Sequence, residues 1–319
     1  MGLVAQGAEP AGPQQARFQF RTNDVIAFVG GEDVVEMQRN GYLELLLTAA
    51  LPHHKLRFRN LAFEGDTVFE QHRQLNFPSW EKQLERVGAT VVIAQFGQAE
   101  SLAGTNALPR FVAEYERLVD RFTRSQRRLL LVGPTTFEKL PSQSIGDFLE
   151  RNRTLDQYIV ATSEVAKRSN VSAVLWELIP PRDFDVSHTR DGLHLNSLGH
   201  WAVAWRVVTT LKITAGEQSA DSHLQGGVVD AHLQGSNVGP EELERLRQLI
   251  LEKNRLWFDY WRPQNWAFLH GDRTEQASSR DHRDPKKRWF PEEMEKFLTL
   301  IEAKEKEIWK VAAKLATGE

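Results

Sequence analysis

A chain of 319 residues, 41% hydrophobic and 26% charged, holds enough apolar material for one sizeable α/β core with an appendage or for two average domains. Its formal net charge of -3 gives no overall electrostatic case for nucleic acid or an anionic membrane as partner. The absence of cysteine excludes disulfides, thiolate catalysis and Cys-based zinc sites.

Residues 1–21 carry no continuous apolar stretch of signal-peptide length, and Gly12, Pro13, Gln14 and Gln15 read as a flexible lead-in. No apolar run reaches the roughly 18 residues a membrane span needs, so a cytoplasmic protein with no membrane partner is expected. Five short runs rich in Val, Ile, Leu or Phe then follow: Val25–Val29, Leu56–Leu61, Val91–Gln95, Leu129–Val132 and Val174–Leu178. Each has strand length, and several are apolar on both faces, as strands covered by helices on two sides must be. Helical periodicity fills the gaps. It is clearest in Leu108, Phe111, Val112, Tyr115, Leu118, Val119 and Phe122, and is seen again around Gly41 to Ala50 and in Leu155, Tyr158, Ile159 and Val165. Strands alternating with helices imply right-handed βαβ units and one open, parallel, five-stranded sheet. That is a three-layer, flavodoxin-like α/β domain over residues 22–211, with its ligand crevice at the carboxyl ends of the strands.

Residues 212–239 lose this periodicity and are rich in Gly, Ser, Gln and Asp, which predicts a linker or long loop. Residues 240–319 read as an α-helical, aromatic-rich C-terminal extension. Pro240, Glu241 and Glu242 open one helix with a stripe of Leu243, Leu246, Leu249 and Ile250. Pro291, Glu292 and Glu293 open a second, with Met294, Phe297, Leu298, Ile301, Ile308 and Val311 on its buried side.

Four segments carry the chemistry. Phe28-Val29-Gly30-Gly31-Glu32-Asp33 is a strand ending in a Gly-rich turn. Arg59 to Asp66 follows the second strand and contains Gly65; Gln95 to Ser101 follows the third and contains Gly97 and Ala99. Asp191-Gly192-Leu193-His194-Leu195-Asn196 comes last, ahead of Gly199 and His200. In that segment Asp-x-x-His lets a carboxylate hold an imidazole and fix its tautomer. By order and content these blocks resemble the SGNH/GDSL hydrolase superfamily over roughly residues 22–210. The resemblance implies an ester or acyl hydrolase, carbohydrate esters included, with no cofactor or bound metal and with a small acyl or carbohydrate molecule as ligand. It also implies roles: His194 as base, Asp191 orienting it, and oxyanion donors in the second and third blocks.

The chain departs from the family pattern where the chemistry is most demanding. The family's nucleophilic serine falls at Glu32, or at Asp33 if the turn is shifted by one residue, and neither side chain has a hydroxyl. The oxyanion asparagine falls at Ala99, with Gly97 kept, while Gly65 retains a backbone N–H. Loss of one oxyanion donor costs about 10²–10³ in rate and loss of a triad serine about 10⁶. Ordinary serine esterase chemistry is therefore not expected. Three uses of the acidic pair remain open: a binding site that has shed its chemistry, with Glu32 pairing His194; water activation by His194 or Glu32; or a metal site built from Glu32, Asp33, Asp191 and His194. Ser101, Ser187 and Ser197 lie near the blocks, but hydroxyls there more often cap helices or satisfy turns.

Five of the nine tryptophans fall in the extension: Trp257, Trp261, Trp266, Trp289 and Trp309. The stretches Lys253-Asn254-Arg255, Arg262 to Asn265 and Gly271-Asp272-Arg273 are similar to an extension that accompanies SGNH domains in planctomycete-type bacterial proteins. The rings are expected to pack the extension onto the α/β domain, or else to stack on sugars or form a lid. The basic run Arg280 to Arg288 sits in an extension with sixteen Lys and Arg against sixteen Asp and Glu, so nucleic-acid binding is not expected.

Overall fold

The structure is a computed structural model and describes residues 18–71, 73, 76–138, 148–175, 187–213 and 240–317. Along the chain come β1 (Val25–Gly30), α1 (Glu32–Asn40), α2 (Tyr42–Ala50), β2 (Arg57–Asn60), α3 (Trp80–Arg86), β3 (Val91–Gln95), α4 (Gln98–Ser101) and α5 (Leu108–Thr123). They are followed by β4 (Arg128–Val132), α6 (Phe148–Arg168), β5 (Ser172–Val174), α7 (Ser197–Thr210), α8 (Pro240–Trp261), α9 (Ala267–His270) and α10 (Trp289–Thr317). All five strands are parallel, in the order β2-β1-β3-β4-β5. The chain reverses its direction of travel across the sheet between β1 and β3, which puts the switch-point crevice at the ends of those two strands.

Alternation along the strands builds two cores. Ala27, Val29, Val92, Ala94, Leu129 and Leu131 face one layer, where Phe111, Tyr115, Leu118, Val119 and Phe122 of α5 bury the predicted stripe. Ile26, Phe28, Val91, Ile93, Leu130 and Val132 face the other, with α1, α2 and α7. This is the expected three-layer α/β architecture. Two boundaries shift. The fifth strand is Ser172–Val174 rather than Val174–Leu178: Asn170, in the left-handed region at φ 53, turns the chain out of α6, and it enters the sheet at once. Residues 176–178 lie outside the described residues. The lead-in expected to end at residue 21 is already packed at Phe18 and Phe20, which bury their rings against each other in the second core. Residues 1–17 and most of the expected linker, 214–239, are also outside the described residues. No helix among the described residues is long and apolar enough to cross a membrane.

The extension covers the β2 edge of the sheet. Arg57 donates its N–H to Asp24, just ahead of β1, and Leu61 donates to Phe28 of β1, so the carbonyls of Leu56, Phe58 and Asn60 point outward. An uncovered edge would present these groups to any other strand. Here the Trp309 indole donates to Leu56 (3.0 Å), the Arg59 guanidinium to Phe58 (2.8 Å) and the Trp257 indole to Asn60 (2.8 Å). Beneath these donors, Lys253 of α8, 1% exposed, pairs with Glu44 of α2 at 2.7 Å, and Arg59 pairs with Glu305 of α10 at 2.5 Å. Burial presses Lys253 down from the usual amine range and Glu44 up from the usual carboxylate range. Trp257 and Trp309 thus join the extension to the sheet, as the packing expectation has it.

Candidate active site

The crevice is shaped first by backbone. At Gly30 (φ 155) a Cβ would stand 2.5 Å from the Gln95 carbonyl oxygen, so only glycine lets β1 leave the sheet this close to β3. The chain turns directly into α1, whose first-turn acids are Glu32 and Asp33. They part company there. Glu32 Oε2 lies 3.1 Å from His194 Nε2, and Oε1 accepts from Arg190 at 3.1 Å. Asp33 turns the other way, accepting from the Thr135 hydroxyl (3.1 Å) and the Leu195 N–H (3.3 Å). Glu32 is therefore the carboxylate facing His194. Burial, partly offset by those two donors and by the charge of His194, pushes Asp33 up to about 6.

The Asp191–His194 pair is local. Asp191 Oδ1 accepts the N–H groups of Leu193 (3.0 Å) and His194 (2.8 Å), folding the loop so that Oδ2 meets His194 Nδ1 at 2.6 Å. Against the cost of burial, the donors from His194 and Leu193 hold Asp191 down to about 2. The loop is pinned at its start by Glu138, which takes the N–H groups of His188 and Thr189 and the hydroxyls of Ser187 and Thr189. Against burial, the His188 side chain and those donors hold Glu138 down to about 2. At its end, Asn196 caps α7 by accepting from the Gly199 N–H at 2.9 Å. A Cβ on Gly199 would sit 2.2 Å from the His188 carbonyl oxygen, so the loop closes over α7 only at glycine.

The positions expected to supply oxyanion donors offer little. Gly97 donates its N–H to Glu100 Oε2 at 2.7 Å, and Ala99 offers only an exposed methyl. Gly65, at φ 78, is exposed, with nothing within 4 Å of where a Cβ would stand. The three nearby serines are engaged elsewhere: Ser101 donates to the Gln98 carbonyl, Ser187 to Glu138, and Ser197 pairs with the Tyr42 hydroxyl. His200 is buried with neither ring nitrogen paired, and burial together with the Arg190 charge pushes it down to about 4. Among the described residues no group of three His, Asp or Glu side chains is placed to hold a metal ion. Asp33 turns away from the other three members of the quartet that suggested one.

Four contributors escape sequence reasoning: Arg190, Glu138, Thr135 and Gln98. Arg190 adjoins the Asp191 block and could have been flagged by that alone. Glu138 meets its donors some fifty positions later in the chain, and no spacing rule reveals that.

The model of the GDSL-like lipase/acylhydrolase family matches residues 28–202, from the β1 turn through the His194 loop. The chain belongs to that family. No curated protein matches the sequence. Among solved structures, a gut microbial diltiazem-metabolizing enzyme shares the fold at TM-score 0.60 and 12% identity, over 95% of this chain and 97% of that one. An acetylxylan esterase from Geobacillus stearothermophilus, solved as a catalytic serine-to-alanine mutant, aligns at TM-score 0.51 and 16% identity over 63% of this chain and all of its own. For this GDSL-family chain, the first likeness takes in the extension as well as the sheet.

Proposed function

We propose that this GDSL-family protein has lost serine esterase turnover and uses the crevice to bind a ligand. The observation that carries the reading is the 3.1 Å contact between Glu32 and His194 Nε2, at the place where the family sets its nucleophilic hydroxyl. Two protonation arrangements satisfy that contact. If Nε2 donates to Glu32, the ring also donates at Nδ1 to Asp191 and has no lone pair with which to take a proton. If Glu32 carries the proton, it is no nucleophile. In either arrangement a carboxyl group adjoins the site where an ester's oxyanion would develop, and the Ala99 position supplies no donor to offset it. The family frame, with its acetylxylan esterase fold relative, makes an acyl or carbohydrate molecule the ligand class to screen.

A panel of acetyl and short-chain nitrophenyl esters tests this with wild type, Glu32→Ser/Ala99→Asn and Glu32→Ser/Ala99→Asn/His194→Ala. The wild type should stay at the buffer rate. The double variant should gain turnover, and His194→Ala should remove it again. Wild-type hydrolysis that disappears in a His194→Ala single variant would overturn the binding reading in favour of a re-tooled hydrolase.

A further inference from the structure

The Asp191–His194 pair leaves a mechanical question. Both residues belong to one short loop, so Asp191 orients the ring relative to the loop but moves with it. It cannot set how the ring stands relative to α1, where Glu32 waits. Glu138 pins residues 187–189, and the Thr189–Leu195 bridge with the Arg190 N–H on the His194 carbonyl joins that stretch to the His194 side of the loop, but neither contact reaches α1 or the central strands.

The two neighbours of His194 are held separately. The Gln98 side-chain amide donates to the Leu193 carbonyl (3.3 Å), and also to the Thr135 carbonyl (3.1 Å) and hydroxyl (3.0 Å). The Thr135 hydroxyl donates onward to Asp33 Oδ2 at 3.1 Å, and Asp33 Oδ1 accepts the Leu195 N–H at 3.3 Å. The path runs from Leu193 through three side chains back to Leu195, and His194 is the residue between its ends. Gln98 follows β3, Thr135 follows β4 and Asp33 follows β1, so a loop arriving from beyond β5 is tied to three central strands at once. Thr135 is buried, which shields the middle of the path from competing water.

We propose that Gln98, Thr135 and Asp33 are positioning residues that bracket the His194 backbone and so bring Nε2 into register with residue 32. None of them hydrogen-bonds to the ring. The proposal deepens the reading of the same crevice but rests on hydrogen bonds rather than on whether turnover survives. An ångström of misplacement at such a contact is enough to disable a site.

The test reads the two ring nitrogens separately, by nitrogen-15 NMR of the full-length protein, with signals assigned by their loss in His194→Ala. Glu32→Gln marks the Nε2 shift of a ring whose partner at residue 32 is altered. Thr135→Val and Gln98→Leu should move Nε2 toward or past that value while leaving the Nδ1 signal, local to Asp191, in place; Thr135→Ser should restore Nε2. Gln98 is only half-buried, so its variant carries the test if Thr135→Val fails to fold. An unmoved Nε2 in the folded variants, or both nitrogens shifting together, would overturn the bracket. Esterase activity in the wild type would sink the binding reading without touching this result.

Discussion

The crevice and the seam beneath the extension are built from the same kinds of charged side chain, and they differ in water. In the crevice, Glu32, Asp191 and Arg190 keep 39%, 42% and 47% of their side-chain surface exposed. In the seam, Lys253, Glu44 and Glu305 keep 1%, 7% and 3%. Exposed pairs contribute little to stability because solvent screens them, whereas a dehydrated pair is costly to assemble and more costly to break. The first arrangement leaves charges that a ligand can recruit. The second leaves charges that hold only while both partners are present.

The largest expected effect follows from that asymmetry. Lys253→Met strands Glu44 in the seam and should cost about 3–5 kcal/mol in chemical denaturation. Lys253→Met/Glu44→Leu, with both charges gone, should recover most of that loss. A single variant within about 1 kcal/mol of wild type would show that the seam is wetter than its burial indicates.

Asp33 lies between the two regimes, half-buried at the crevice wall, and it gives the comparison a pH axis. Its value in the fold is raised from 3.8 to about 6, so the ionised form is worse off folded than unfolded. The stabilisation from keeping it protonated is complete below 3.8 and lost as pH rises through about 6. Between pH 4 and 7 the wild type should lose about 1–3 kcal/mol more stability than Asp33→Asn. Asp191 and Glu138, lowered from 3.8 and 4.5 to about 2, contribute stability that is lost as pH falls from about 5 toward 2, a loss common to both proteins. Parallel profiles for the two proteins would mean that Asp33 is better solvated than the structure places it.

Sequence periodicity reached the parts of this molecule whose cause is local. β1, β3 and β4 announce themselves because strands buried on both faces must be apolar throughout, and α5 because one face of it meets the sheet. Asp191 and His194 are legible for the same reason: a single turn joins them. Glu32 and Asp33 were indistinguishable because a one-residue shift exchanges them, and only the direction α1 takes on leaving Gly30 decides which one meets His194. β5 was misplaced because three residues at a sheet edge carry little pattern. Lys253 was invisible as a buried group, since lysine on an amphipathic helix ordinarily reads as solvated and its partner Glu44 lies on α2. The Gln98–Thr135–Asp33 path draws on three separate segments, and no spacing encodes it.

The smallest effect is the one that bears most on function. Glu32→Gln keeps the shape of the side chain and removes its charge from His194 and Arg190, both of them accessible to solvent. Its cost to stability should stay below about 1 kcal/mol and shrink further as ionic strength rises. Under the proposed binding reading, a Glu32 that contributes so little to folding acts on what enters the crevice. If Glu32→Gln instead destabilised the protein as severely as Lys253→Met, the crevice pair would be a structural fastener like the seam, and the case for a ligand there would fall with it.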